Sequence, residues 1–165
     1  MLCASMNCKK KETLDPNGLP KATQNGAMMF ACKVNGVNWI SSNKNNEMGG
    51  GVRGDTLTVS GSNPPNVPNL LEEFIIRINK LDNRMTYKLG VTDIQYVDYT
   101  TNKNCFNKIT TYGSDSKSTD GEVVFTKIDK TNKIISGTFW FDIPTDKCGI
   151  LKITEGRFDV STIRY

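Results

Sequence analysis

The amino-acid sequence predicts an all-β fold, an antiparallel β-sandwich or flattened barrel of about nine to eleven strands. Three observations lead there. Apolar and polar residues alternate with a period of two through Lys133-Ile-Ile-Ser-Gly-Thr-Phe-Trp-Phe-Asp-Ile143, as in a half-buried strand. The chain is only 37% hydrophobic and rich in Asn, Thr, Ser, Lys and Gly, which suits short strands joined by polar turns. Asn35-Gly36 lies between two apolar runs, the strongest short signal for a tight hairpin.

Taken in order, Thr13 to Gly26 holds Asp15-Pro-Asn-Gly18, Pro20 and Asn25-Gly26 with little apolar content, and reads as an exposed tether. The expected division is residues 1–26 as the remnant of an export signal plus a tether, and residues 27–165 as one β-domain. Met28–Val34 and Val37–Ile40 form the first hairpin. Ser41 to Gly51 reads as a polar loop ending in three glycines. It lacks the lysine, the hydroxyl and the following helix of a phosphate loop. Asp55–Gly61 is a strand and Asn63–Pro68 a rigid loop, because consecutive prolines cannot donate to a ladder.

Asn69–Ile78 carries some helical spacing, but its isoleucine-rich second half favours a strand with Phe74, Ile76 and Ile78 inward. Met85–Leu89, Ile94–Tyr99 and Phe106–Tyr112 follow as strands, and Asp115 to Gly121 as a polar turn. Glu122–Asp129, Lys133–Ile143 and Gly149–Asp159 complete the sheet. In the last of these, Leu151 and Ile153 share one parity, while Phe158 and Val160 have the other. The pattern survives only if one residue is inserted, and Glu155-Gly156 is the place for a bulge with glycine at positive φ, or for a tight turn.

Composition excludes several chemistries. The chain has no histidine, which removes the usual neutral-pH base, serine–histidine triads and most zinc or non-haem iron sites. From Met28 onward it carries 17 basic against 15 acidic residues, dispersed along the chain, so no nucleic-acid partner is expected. No cofactor is expected either. Asp142 and Glu155 are the one candidate carboxylate pair for hydrolysis. Asp115, Asp120 and Glu122 are the one candidate calcium loop, with Lys117 and Thr119 interrupting it.

Of the five cysteines, Cys3, Cys8, Cys32, Cys105 and Cys148, none makes a metal-knuckle spacing. Cys32 reads as a small buried hydrophobe. Cys105 and Cys148 both adjoin turns and are candidates for a disulfide in an oxidising compartment. Met1–Glu12 resembles the end of an apolar export segment running into Cys8, the residue that would carry a lipid.

Aromatic rings that stack on sugars or dock partners are the natural contact groups: Trp39, Trp140, Tyr87, Tyr96, Tyr99 and Tyr112. Trp140 falls on the polar face of its strand, either covered by a neighbouring segment or free as a platform. Three functions follow as alternatives: a non-enzymatic binding module, a lipocalin-like carrier of a small hydrophobe, or a glycan-processing hydrolase.

Phe30-Ala-Cys-Lys-Val-Asn-Gly-Val-Asn-Trp39, Leu57–Gly61, Ile134–Phe141 and Ile153–Asp159 together resemble a family of Bacteroidetes envelope lipoproteins that carry a domain of unknown function. The resemblance implies an exported β-domain held at the periplasmic or outer membrane by a lipid on Cys8. Its ligand would be a glycan, a small hydrophobe or another envelope protein. It implies no catalytic residues.

Overall fold

The computed structural model describes residues 14–41, 48–62, 71–90, 95–107 and 114–161. Among them are eleven strands: β1 (Met29–Val34), β2 (Val37–Ile40), β3 (Met48–Arg53), β4 (Thr56–Ser62), β5 (Glu72–Asn79), β6 (Thr86–Lys88), β7 (Gln95–Thr101), β8 (Ser114–Lys117), β9 (Asp120–Asp129), β10 (Ile134–Pro144) and β11 (Ile150–Ser161). They form a six-stranded sheet in the order β2-β1-β11-β10-β9-β6 and a five-stranded sheet in the order β3-β4-β5-β7-β8. All pairings are antiparallel. The molecule is a flattened β-sandwich.

Side-chain parity fills the space between the sheets. Ile135, Phe139, Phe141 and Ile143 of β10 meet Phe74, Ile76 and Ile78 of β5 in one core. The Phe74 ring stands 5.7 Å from Phe141 across the two layers and stacks 4.8 Å from Tyr99. Burial of such a side chain stabilises the fold by about 1.5–3 kcal/mol, so these few rings dominate the cohesion of the sandwich.

The parity switch in β11 is a bulge. Thr154 pairs with Lys33 and Arg157 with Ala31, so two residues of β11 face Cys32 alone; across the other edge, Trp140 is skipped in the same way. The residue at positive φ is Glu155 (52°) rather than the expected glycine. Gly156 is required for a different reason: a Cβ there would lie 2.3 Å from the Phe139 ring.

Three expectations need correction. The glycine run is strand β3, not a loop; Gly50 lies so close to β11 that a Cβ would stand 2.6 Å from Val160. Ser114–Lys117 and Asp120-Gly121 are strand residues, not a turn. Most consequentially, residues 14–26 are no loose tether. Asp15 caps its own turn by accepting from the N–H groups of Asn17 and Leu19, and Leu14 bridges Pro20. Leu19 is fully buried against Met29 and Ala31, on the outer face of β1.

The segment is a strap laid across the six-stranded sheet, and Asp159 is its clasp. That carboxylate is 0% exposed. It accepts hydrogen bonds from the Thr23 hydroxyl (2.6 Å), from the N–H groups of Asn25 (3.0 Å), Gly26 (2.9 Å) and Ala27 (3.1 Å), and from the Ser136 hydroxyl (2.7 Å). The signal for this docking was present in Asp15-Pro-Asn-Gly18, a turn whose aspartate bonds its own backbone. Composition alone concealed it. Residues 1–13, with Cys8, and the expected loop at 63–68 lie outside the described residues, as does most of the expected strand Phe106–Tyr112.

Candidate functional site

The bulge, the strap and the outward parity of β10 converge on one surface. Trp140 points away from the core and is 38% exposed. Its register partner on β9 is Glu122, whose own neighbour on β6 is Lys88. Lys88 Nζ stands 2.9 Å from Glu122 and 5.9 Å from the Trp140 ring centroid, within range of a cation–π contact. Thr138, two residues earlier on the same face, is exposed.

A groove of about 460 Å³ runs beside Trp140 and Thr138 toward the strap, where Asn17 and Ala22 form its far wall. Arg157 and Glu155 close that side. Arg157 Nη1 is bound to Asp15 (2.6 Å) and to the carbonyl of Pro20 (3.2 Å). Glu155 accepts from Lys33 Nζ (2.7 Å) and Asn17 Nδ2 (2.9 Å). The wall is therefore built by the same contacts that fasten the strap.

Among the described residues no two carboxylates face each other across this surface. Asp142 and Glu155 do not act as a pair: Asp142 faces Lys152 (3.4 Å) and Glu155 faces Lys33. Of the calcium candidates, Glu122 is bound to Lys88, and Asp120 accepts from the N–H of Gly121 (2.8 Å). The side chain of Asp115 lies outside the described residues. Among the described residues no cluster of three or more His, Cys, Asp or Glu could hold a metal.

Glu73, on the outer face of the other sheet, is held above the usual carboxylate range. Burial is the main cause, and Asp98 adds to it against the pull of Arg77. Asp98 is itself bound to Arg77 at 2.7 Å, so these two acids are not a matched acid and base.

The other aromatic candidates are placed differently. Trp39 is a core residue that donates from Nε1 to Glu72 (2.9 Å), and Tyr99 donates its hydroxyl to the same carboxylate (2.6 Å). Tyr87 is buried with its hydroxyl on Asp82 (2.8 Å). These three rings cannot meet a ligand without opening the sandwich. Tyr96 lies on the outer face of the five-stranded sheet under Lys117, 4.3 Å from ring to Nζ, and Tyr112 lies outside the described residues. Trp140 alone combines exposure with a groove among the described candidates.

Glu72 is fully buried, with Lys103 Nζ at 2.8 Å. It was missed at the sequence level although it shares the inward parity of Phe74, Ile76 and Ile78. Cys105 and Cys148 are joined in a disulfide, and Cys32 is buried as a free thiol. Burial, with a contribution from Glu72, pushes that thiol far up from its ordinary range, so it is inert.

No curated protein and no solved structure matches the chain. Residues 26–160 match the family model of a domain of unknown function, DUF6252, and this chain belongs to that family.

Proposed function

We propose that the chain is a non-enzymatic binding module of the cell envelope, exported and tethered by a lipid on Cys8, with the groove beside Trp140 as its contact surface. The observation that carries this reading is the exposed aromatic groove in which each acid already has a cationic partner. Hydrolysis needs two carboxyl groups facing each other across one cleft, whereas Asp142 faces Lys152 and Glu155 faces Lys33. A carrier needs an interior void, whereas stacked rings such as Phe139 and Phe141 (5.5 Å apart) occupy the space between the sheets. The Cys105–Cys148 bond supports an oxidising address, and the resemblance to Bacteroidetes lipoproteins supports the tether.

Two measurements test the proposal. Expression behind a lipoprotein export signal should give a membrane-bound product whose intact mass carries lipid on Cys8, and Cys8→Ser should release it. The domain without its lipid should co-sediment with isolated envelope material in a manner lost in Trp140→Ala. An unmodified Cys8 with cytoplasmic protein refutes the address, and co-sedimentation indifferent to Trp140 refutes the site.

A further inference from the structure

The groove has polar atoms that its own protein leaves unused. Among the described residues, nothing accepts from the indole N–H of Trp140 and nothing pairs with the hydroxyl of Thr138, whereas Glu122, Glu155, Asn17 and Arg157 around them are all engaged. Residues two apart on one strand face stand about 7 Å from each other. An exposed ring therefore lies one short step from a free hydroxyl, in a depression of the size that takes a small ligand.

Charge narrows the occupant. Glu122 and Glu155 flank the groove on opposite sides, paired with Lys88 and Lys33. A phosphate, a uronic acid or a nucleotide would meet a carboxylate whichever way it lay. A free cation would compete with lysines already in place. Asn17, Glu122, Glu155 and Arg157 interrupt the apolar surface of Ala22, Val124 and the Trp140 ring, so an acyl chain would have to bury charged groups along its length.

A neutral polyhydroxylated ring has the matching pattern. One of its faces presents C–H groups to an aromatic ring, and its edge presents hydroxyls that both donate to carboxylates and accept from N–H groups. We propose that the groove binds a neutral hexopyranose unit of a glycan chain, stacked on Trp140, with its edge hydroxyls shared among Thr138, Glu122 and Asn17. This rests on the reading of the chain as a binding module and supplies the chemical class of its ligand.

The test is affinity electrophoresis of the full, unlipidated, disulfide-bonded chain through gels containing neutral polysaccharides. A β-glucan, a mannan and a galactan serve as probes, with alginate as an anionic control, followed by calorimetric titration of the matching hexasaccharide. The expected result is retardation by at least one neutral polymer and not by alginate. Trp140→Ala should weaken binding at least tenfold and Thr138→Val a few-fold, with the melting temperature of each variant close to that of the parent.

Retardation by alginate alone, by none of the polymers, or equally in Trp140→Ala overturns the glycan assignment. Envelope co-sedimentation that depends on Trp140 but survives digestion of glycans and is lost on proteolysis of the envelope also overturns it, in favour of a protein partner. In that last case the binding-module reading stands. Absence of Trp140-dependent co-sedimentation together with retardation by none of the polymers removes both.

Discussion

Replacing Asp159 should unfasten the strap, and the expected cost can be worked from its partners. Its two oxygens accept five hydrogen bonds, three on Oδ2 (Thr23, Asn25, Ala27) and two on Oδ1 (Gly26, Ser136). In Asp159→Ala the Ser136 hydroxyl, which is 0% exposed, loses its partner at a cost of about 1–3 kcal/mol. Asn25 and Ala27 are exposed residues whose N–H groups return to water, so each of the four strap bonds contributes only about 0.5 kcal/mol net. The total is about 3–5 kcal/mol, or on the order of 10 °C in melting temperature.

Asp159→Asn should cost less, about 1–3 kcal/mol. Its remaining oxygen can serve the three-donor side while Ser136 turns to accept from the new amide, and only the N–H of Gly26 is then left facing a donor. Urea denaturation measures both values. Trypsin cleavage after Lys21, an exposed strap residue, reports release of the strap separately from global unfolding.

The pH dependence adds a sign. Burial pushes the Asp159 carboxyl up, but the donors from Thr23, Ser136, Ala27 and Gly26 together outweigh it and hold the group below its ordinary 3.8. A depressed carboxyl contributes stability above the unfolded value that disappears as pH falls through the folded one. Acid should therefore loosen the strap only below about pH 4, and Asp159→Asn should flatten that part of the stability profile. An Asp159→Ala protein within 0.5 kcal/mol of the parent, with unchanged cleavage after Lys21, would refute the clasp.

Other outcomes follow from the same geometry. Reducing Cys105–Cys148, which spans 43 residues, should remove about 2–4 kcal/mol of stability by chain-entropy reasoning; identical urea midpoints with and without reductant would count against it. Glu72→Gln leaves the partly exposed Lys103 ammonium to water but faces the buried Trp39 or Tyr99 donor with an amide N–H, at about 1–3 kcal/mol, with a shift in Trp39 emission as the optical sign. Burial first, and then the Glu72 carboxylate, raise the Tyr99 phenol far above its ordinary 10.0, so alkaline titration should leave Tyr99 un-ionised until the protein unfolds. Gly156→Ala drives a Cβ into the packed Phe139 ring and should cost about 1–3 kcal/mol, whereas Gly36→Ala, with nothing within 4 Å, should show only the smaller penalty of its φ of 82°.

Residue alternation is local information, and it determined a good deal by itself. Alternation, apolar runs and turn signals identified β1, β2, β4, β5, β6, β7, β9, β10 and β11 and the inward rows of Phe74, Ile76, Ile78, Phe139 and Phe141. The parity break located the bulge at Glu155-Gly156, and the same rule, applied to Glu72, would have placed a carboxylate in the core. It also set Trp140 outward. It could not say whether anything lay above that ring.

What covers an outer face, and which strand pairs with which, depends on contacts between residues far apart in the chain, and no local pattern encodes them. Gly49–Gly51 form a strand because β4 pairs with them and β11 lies close enough to exclude a side chain at Gly50. The strap is fixed by an aspartate more than 130 positions away. It covers Ser136 and Asp159, walls the groove with Asn17 and Ala22, and leaves Trp140 open. Alternation decides inside from outside because each side chain must choose a face. Only the assembled tertiary structure decides which outside surface stays free.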